Sequence, residues 1–295
     1  FKEDKEVINN TKYEAGRYKL LLFFRSPQKG KGLMRLANSL SKKVDDNTSI
    51  TAMHLMTPSG LHHVDSDIYE RESFTPVIEE AQLLNRKLIS LFKISHDIGA
   101  DAVNVVNKGN YDLLLMNLEE SIFEGSLLGK VLGFTTQIIN PEKLINVVTG
   151  KEKQLDNSFI DVTTRQILTR TKTPVGILID KELSKFDNIL LMLFSPKDAY
   201  LIFYVQKLIH NAGSQVSVFE QIDREENREI KEKIRLIEHN APNHIRSVSA
   251  DYIDDAFLEK QDLIIVSIEH LDKFLQIRKE LPEKLPSVLI CSSGK

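Results

Sequence analysis

The stretch Leu20-Leu21-Leu22-Phe23-Phe24-Arg25-Ser26-Pro27 is echoed by Ile189-Leu190-Leu191-Met192-Leu193-Phe194-Ser195-Pro196. Each copy reads as a buried strand that stops at a proline and hands over to an amphipathic helix. Leu33, Leu36, Ala37 and Leu40 fall at helical spacing after the first; Leu201, Val205, Leu208 and Ile209 do so after the second. The carboxyl end of such a strand is where open α/β sheets hold their ligands. The doubled unit therefore predicts two related domains and up to two candidate sites.

The echo extends along the chain. Short β-branched strands follow at Ser49-Ile50-Thr51-Ala52-Met53 and Gln215-Val216-Ser217-Val218-Phe219. Tyr111-Asp112-Leu113-Leu114-Leu115-Met116 is matched by Gln261-Asp262-Leu263-Ile264-Ile265-Val266, and a closing strand opens with proline in both halves, at Pro174 and Pro286. Near-continuous apolar runs suit a parallel sheet covered on both faces. The order strand, helix, strand, helix predicts α/β architecture: two doubly wound, mainly parallel-sheet, Rossmann-like domains in tandem. The boundaries read as a charged linker over residues 1–17, a first domain over 18–183 with an insert at about 123–160, and a second domain over 184–295.

Composition narrows the function classes. A net charge of −3 argues against a nucleic-acid surface, which needs an excess of Lys and Arg on one face. No apolar run approaches the roughly 20 residues that cross a bilayer. The lone cysteine, Cys291, has no partner for an internal disulfide, fits a reducing compartment, and ends an apolar run as a small buried hydrophobe. The chain opens on Phe1 with a charged stretch to Arg17, which reads as a linker from a preceding membrane domain.

The halves differ most between their fourth and fifth strands. Asp112 to Pro174 is 62 positions and Asp262 to Pro286 is 24, so the first half carries 38 extra residues. That insert opens with Phe123-Glu124-Gly125-Ser126-Leu127-Leu128-Gly129-Lys130. Glycines let backbone N–H groups approach a phosphate, a helix starting at Ser126 or Leu127 adds its positive end, and Lys130 supplies a cation. The alternative is a pair of turn and packing glycines beside a solvated lysine. The spacing is neither a Walker loop nor Gly-x-Gly-x-x-Gly.

The βα units, the Asp-Leu-Leu-Leu-Met strand, the glycine loop and the closing Thr-Pro-Val-Gly-Ile-Leu strand resemble the universal stress protein family, with its adenine nucleotide alpha hydrolase-like fold. Gly125 to Gly133, the long insert, and Thr171-Lys172-Thr173-Pro174-Val175 resemble more closely the tandem stress-protein tail of bacterial sodium/proton or potassium/proton antiporters. The resemblance covers roughly residues 18–290, through its motifs in the first half and by architecture in the second. It implies a cytosolic regulatory region on the inner face of the bacterial membrane, attached to a transmembrane antiporter domain. It also implies ATP, ADP or AMP as ligand, with Ser26, Gly125, Ser126, Gly129, Lys130, Thr163 and Thr164 as nucleotide-binding candidates. The strands at Pro174 and Pro286 stand where such proteins dimerise, so a homodimer or an intrachain pseudo-dimer is expected. The chain departs from the family pattern at two places. Phe24, Arg25 and Ser26 stand where nucleotide-binding members carry an aspartate, as do Phe194 and Ser195, and no glycine accompanies Thr163 and Thr164.

Other constellations read as structural. His54, His62 and His63 lack the acidic or cysteine partners of a metal site and suit a solvated loop. Glu79-Glu80, Glu119-Glu120 and Asp254-Asp255 are adjacent carboxylates that diverge on a helix and belong on solvated faces. Ser26 and Ser195 lie outside any Gly-x-Ser-x-Gly elbow. Asp223 to Lys233 is a charged helix face with pairs at helical spacing. No converging acid, base or metal set is present, so the expectation is regulatory rather than catalytic: a ligand at the first sheet favours one arrangement of the two domains and biases transport. A ligand-free dimerisation scaffold and a small nucleotide-acting α/β enzyme are the alternatives.

Overall fold

A computed structural model describes residues 18–41, 48–58, 65–117, 162–222, 227–276 and 286–294. The first half runs β1 (Tyr18–Phe23), α1 (Gly30–Leu40), β2 (Thr48–Met56), α2 (Ser66–Leu83), β3 (Ile89–Ile94), α3 (Ile98–Gly109), β4 (Leu113–Asn117), α4 (Val162–Arg170) and β5 (Val175–Ile179). The second runs β6 (Asn188–Leu193), α5 (Leu201–Ala212), β7 (Gln215–Glu220), α6 (Arg228–Asn240), β8 (Ile245–Val248), α7 (Asp255–Leu258), β9 (Leu263–Ser267), α8 (Leu271–Gln276) and β10 (Ser287–Ser292).

All ten strands form one sheet in the order β3-β2-β1-β4-β5-β10-β9-β6-β7-β8. Each half is thus wound 3-2-1-4-5, and its strand order reverses between its first and fourth strands. Pairing is parallel throughout except at the middle, where β5 and β10 run antiparallel from Val175 opposite Ser292 to Ile179 opposite Val288. The two closing strands thus meet within one chain. The halves also touch through α5: its Lys207 Nζ sits 3.3 Å from the centre of the Tyr18 ring of β1, and its Asn211 donates to the Ser39 carbonyl of α1 at 3.1 Å.

Strand alternation splits the core into two layers. Leu20, Leu22, Leu113, Leu115, Leu191 and Leu193 face α1, α2, α5 and α6, whereas Leu21, Phe23, Leu114, Met116, Leu190 and Met192 face the opposite side. Each layer runs across both halves. A fully buried leucine contributes about 1.5–3 kcal/mol, so these runs explain why the apolar strands sit at the centre. The third strands, β3 and β8, escape the apolar reading because they are the sheet's edges. Ile89 and Ile94 of β3 are exposed, and β8 has only four residues.

The register between first and fourth strands is set by one carboxylate in each half. Asp112 Oδ2 accepts from the Lys19 amide at 2.7 Å, and Asp262 Oδ2 accepts from the Asn188 amide at 2.8 Å. The Tyr-Asp-Leu and Gln-Asp-Leu strands therefore repeat because the aspartate anchors β4 on β1 and β9 on β6.

Two readings of solvated groups are corrected here. His54 lies inside β2 and is only 1% exposed. Glu80 is buried because Arg35 reaches it from α1 with two hydrogen bonds, Nε to Oε1 at 2.9 Å and Nη2 to Oε2 at 3.0 Å. A planar guanidinium matches a carboxylate bidentately, and the Glu80 carboxylate holds the Arg35 pKa above its usual value. Arg35 also donates to the Leu183 carbonyl, tying the segment that joins the halves to α1. The charged run after Asp223 does form a helix from Arg228, with Arg228–Glu232 and Glu229–Lys233 ion pairs outside and Ile230 and Ile237 buried.

Candidate functional site

The strand order reverses between β1 and β4 and again between β6 and β9, and the carboxyl ends of the strands at such points are where open α/β sheets form ligand crevices. At the first, β1 gives way to the exposed Arg25 and Ser26 and a 3-10 turn over Pro27–Lys29 that leads into α1. Ser26 is extended, its carbonyl accepts from the Lys29 amide at 3.1 Å, and its hydroxyl caps no helix N–H. Arg25, Lys29 and Lys31 concentrate positive charge at this edge. Gly30 and Gly32 begin α1, and a Cβ on Gly32 would collide with the Asp180 carboxylate at the end of β5. Across the crevice, Asn117 closes β4 and donates from Nδ2 to the Leu178 carbonyl at 3.4 Å.

The carboxyl ends of β1 and β2 are joined by His54. Its Nδ1 lies 2.9 Å from the Phe24 carbonyl, which can only accept, so Nδ1 carries the proton. Nε2 then accepts from the Tyr69 hydroxyl at 3.4 Å. Phe24 and Phe92 stack on the ring, Phe74 meets it edge-on, and Tyr69 tilts against it. Burial lowers the His54 pKa, and the Phe24 carbonyl opposes that shift only partly. The imidazole is a neutral, fully engaged core group that pins the end of β1, and its neighbours fill the space beside that end with aromatic rings.

The second crevice is built differently. Ser195 and Asp198 form a reciprocal capping box at the end of β6: Ser195 Oγ accepts from the Lys197 amide at 3.1 Å. Asp198 Oδ2 accepts from the amides of Phe194 at 2.8 Å and Ser195 at 3.0 Å. Its other oxygen, Oδ1, receives Nδ1 of His270 at 3.0 Å from just beyond β9. Asp198 is 1% exposed and the His270 side chain 16%. Ser267 at the end of β9 donates to Glu269, and Tyr200 donates to the Cys291 carbonyl at 2.8 Å.

Sequence reading found no aspartate at the end of either first strand. The fold returns one to the second by a tight turn, from a position three residues past Ser195. The signal is present in the sequence as a difference between Ser26-Pro27-Gln28-Lys29 and Ser195-Pro196-Lys197-Asp198, where a lysine and an aspartate occupy matching places. His270 is recoverable only from the fold, because its contact with Asp198 spans 72 positions.

The predicted nucleotide-binding residues divide into two groups. Ser26 stands at the first crevice. Thr163 and Thr164 lie in the first turn of α4, Thr163 half-buried and Thr164 buried. α4 packs closely on α3, where a Cβ on Gly99 would strike Gln166. Gly125, Ser126, Gly129 and Lys130 lie outside the described residues, as do His62, His63 and Glu119-Glu120. Among the described residues, no group of three or more His, Cys, Asp and Glu side chains converges as a metal site. No described helix is long and apolar enough to cross a membrane.

Against solved structures, the chain superposes on a universal stress protein from Archaeoglobus fulgidus DSM 4304. The TM-score is 0.51 with 15% identity, covering 94% of this chain and 97% of that one. The fold is that of the universal stress proteins. A second chain described as a universal stress protein, from Pseudomonas aeruginosa UCBPP-PA14, has 12% identity and a TM-score of 0.46, covering 94% of this chain and 93% of that one. No protein-family model matches the sequence, and no curated protein sequence matches it. At these identities the likeness is one of fold.

Proposed function

We propose that the chain is the cytosolic regulatory region of a bacterial sodium- or potassium/proton antiporter, and that its first half takes an adenine nucleotide in the β1–β4 crevice. The observation that carries the location is the asymmetry at the Ser-Pro steps. The first half presents Lys29 and the start of α1 where the second presents the buried carboxylate of Asp198. Lys29 and the N–H groups at the start of α1 favour a phosphate, whereas in the second half the Phe194 and Ser195 amides are already taken by the Asp198 carboxylate. The antiporter context rests on the resemblance of Gly125 to Gly133 and Thr171 to Val175 to the tails of such transporters.

Coupling between halves follows from the seam. Sliding one half against the other would break the β5–β10 ladder and both core layers. A nucleotide would therefore act on segments leading out of a single body, and it shifts transport only as far as its affinity differs between their arrangements. Calorimetric titration of the chain with ATP, ADP and AMP tests the ligand: one nucleotide bound per chain is expected. Sodium- or potassium-driven proton flux in membrane vesicles, with the whole gene and with residues 18–295 deleted, tests the regulatory role. A ligand-free scaffold is the second reading, favoured by the absence of a carboxylate at the end of β1. Titrations without heat from any of the three nucleotides would establish it, and turnover of any would mark an enzyme.

A further inference from the structure

We propose that the second half is held shut by its own carboxylate: Asp198 occupies the place where an anion would meet the end of β6, and His270 bolts it there from the end of β9. Three observations converge on this. The two consecutive amides of Phe194 and Ser195, just past the end of β6, both point at Asp198 Oδ2. Consecutive N–H groups at a turn form an anion-binding concavity, and here the anion is supplied by the chain itself. The remaining oxygen is taken by His270 Nδ1, so one carboxylate joins both walls of the crevice. The pair is withdrawn from solvent, with Asp198 essentially buried and Phe194 packed against the His270 ring at 6.0 Å between centroids.

Opening this crevice requires one carboxylate to give up three charge-assisted hydrogen bonds at once, each stronger than a neutral one. The charged side chains nearest the pair, Lys197, Glu269 and Lys273, are exposed; Glu269 is held by Ser267 and Lys273 lies over the Phe194 ring. At the first crevice Lys29 stands in the place that Asp198 takes in the second. The second crevice is therefore closed to an outside anion while Asp198 and His270 stay paired. The inference rests on the placement of the crevices and not on nucleotide binding by the first half.

The test uses the full chain and two variants. In His270→Ala, hydrogen exchange at the Phe194 and Ser195 amides should rise on the order of tenfold, the loss expected for one hydrogen bond to a charged group, while exchange at Ile189 to Met192 stays as in wild type. In Asp198→Ala, inorganic phosphate should produce saturable shifts of the Ser195 amide resonance that wild type does not show. Unchanged exchange in His270→Ala overturns the bolt, and phosphate shifts in wild type overturn the closure. A folded Asp198→Ala that ignores phosphate overturns the anion place. If Asp198→Ala does not fold, the His270→Ala exchange decides. Titration of wild type with ATP reports on the first half alone, so its failure leaves these outcomes intact.

Discussion

Replacing His54 with leucine should flatten the acid side of the stability profile. Burial disfavours the charged imidazole in the fold, while the unfolded chain takes up its proton near the ordinary histidine value of about 6.5. Below that pH the unfolded state binds more protons than the native state, so stability falls as pH drops, through the window between 6.5 and the lowered native value. Across pH 7.5 to 5.5 this single group can remove up to about 1.4 kcal/mol, the full linkage for one proton over one pH unit below its unfolded pKa. The Phe24 carbonyl, left without its donor, should make His54→Leu less stable by about 1–3 kcal/mol at pH 7.5, a gap that narrows toward pH 5.5 as wild type alone loses the linkage contribution. The informative quantity is therefore the slope, not the level. Urea unfolding at half-unit steps measures it in both proteins, and the remaining histidines contribute a common background that the comparison removes. Parallel profiles would refute the account of His54 as a neutral pin in an aromatic box.

Two further outcomes follow from the seam and the first crevice. Gly176 of β5 lies so close to its neighbours that a Cβ would stand 2.8 Å from Leu115 and 3.1 Å from Leu289. Both leucines are buried, so Gly176→Val should overpack the seam and lower unfolding free energy by about 1–3 kcal/mol in urea; an undiminished midpoint would mean the strands give way freely. Lys29→Asp recreates in the first half the charge of the second. It should weaken adenine nucleotide binding in calorimetry by at least about tenfold, a modest effect for reversing one charge near a phosphate, and unchanged affinity would move the site elsewhere.

Much of the fold is legible along the chain because its signals are local. Leu20 to Phe24 and Ile189 to Phe194 announce buried parallel strands, and the repeated Asp-Leu strand carries the carboxylate that registers it. The edges, β3 and β8, are harder to read because one side of an edge strand has no neighbour to demand an apolar residue. His54 was misread for a different reason. A histidine in a polar-looking stretch gives no sign of the four aromatic rings brought around it by Phe24 at the end of β1, Tyr69 and Phe74 of α2, and Phe92 of β3. Glu80 likewise looks like one of a solvated pair until α1 lays Arg35 across it.

By itself the sequence determined that this protein is two α/β halves, each with a strand ending in Ser-Pro and a helix to follow. Apolar periodicity and proline placement are written in consecutive residues. Only the tertiary structure decided that the closing strands join antiparallel into one sheet, and that the two crevices are unequal. The lysine and aspartate after the prolines are visible in the chain, but their meaning depends on what stands across the sheet. That is set by strand order, which brings His270 to Asp198 from 72 positions away.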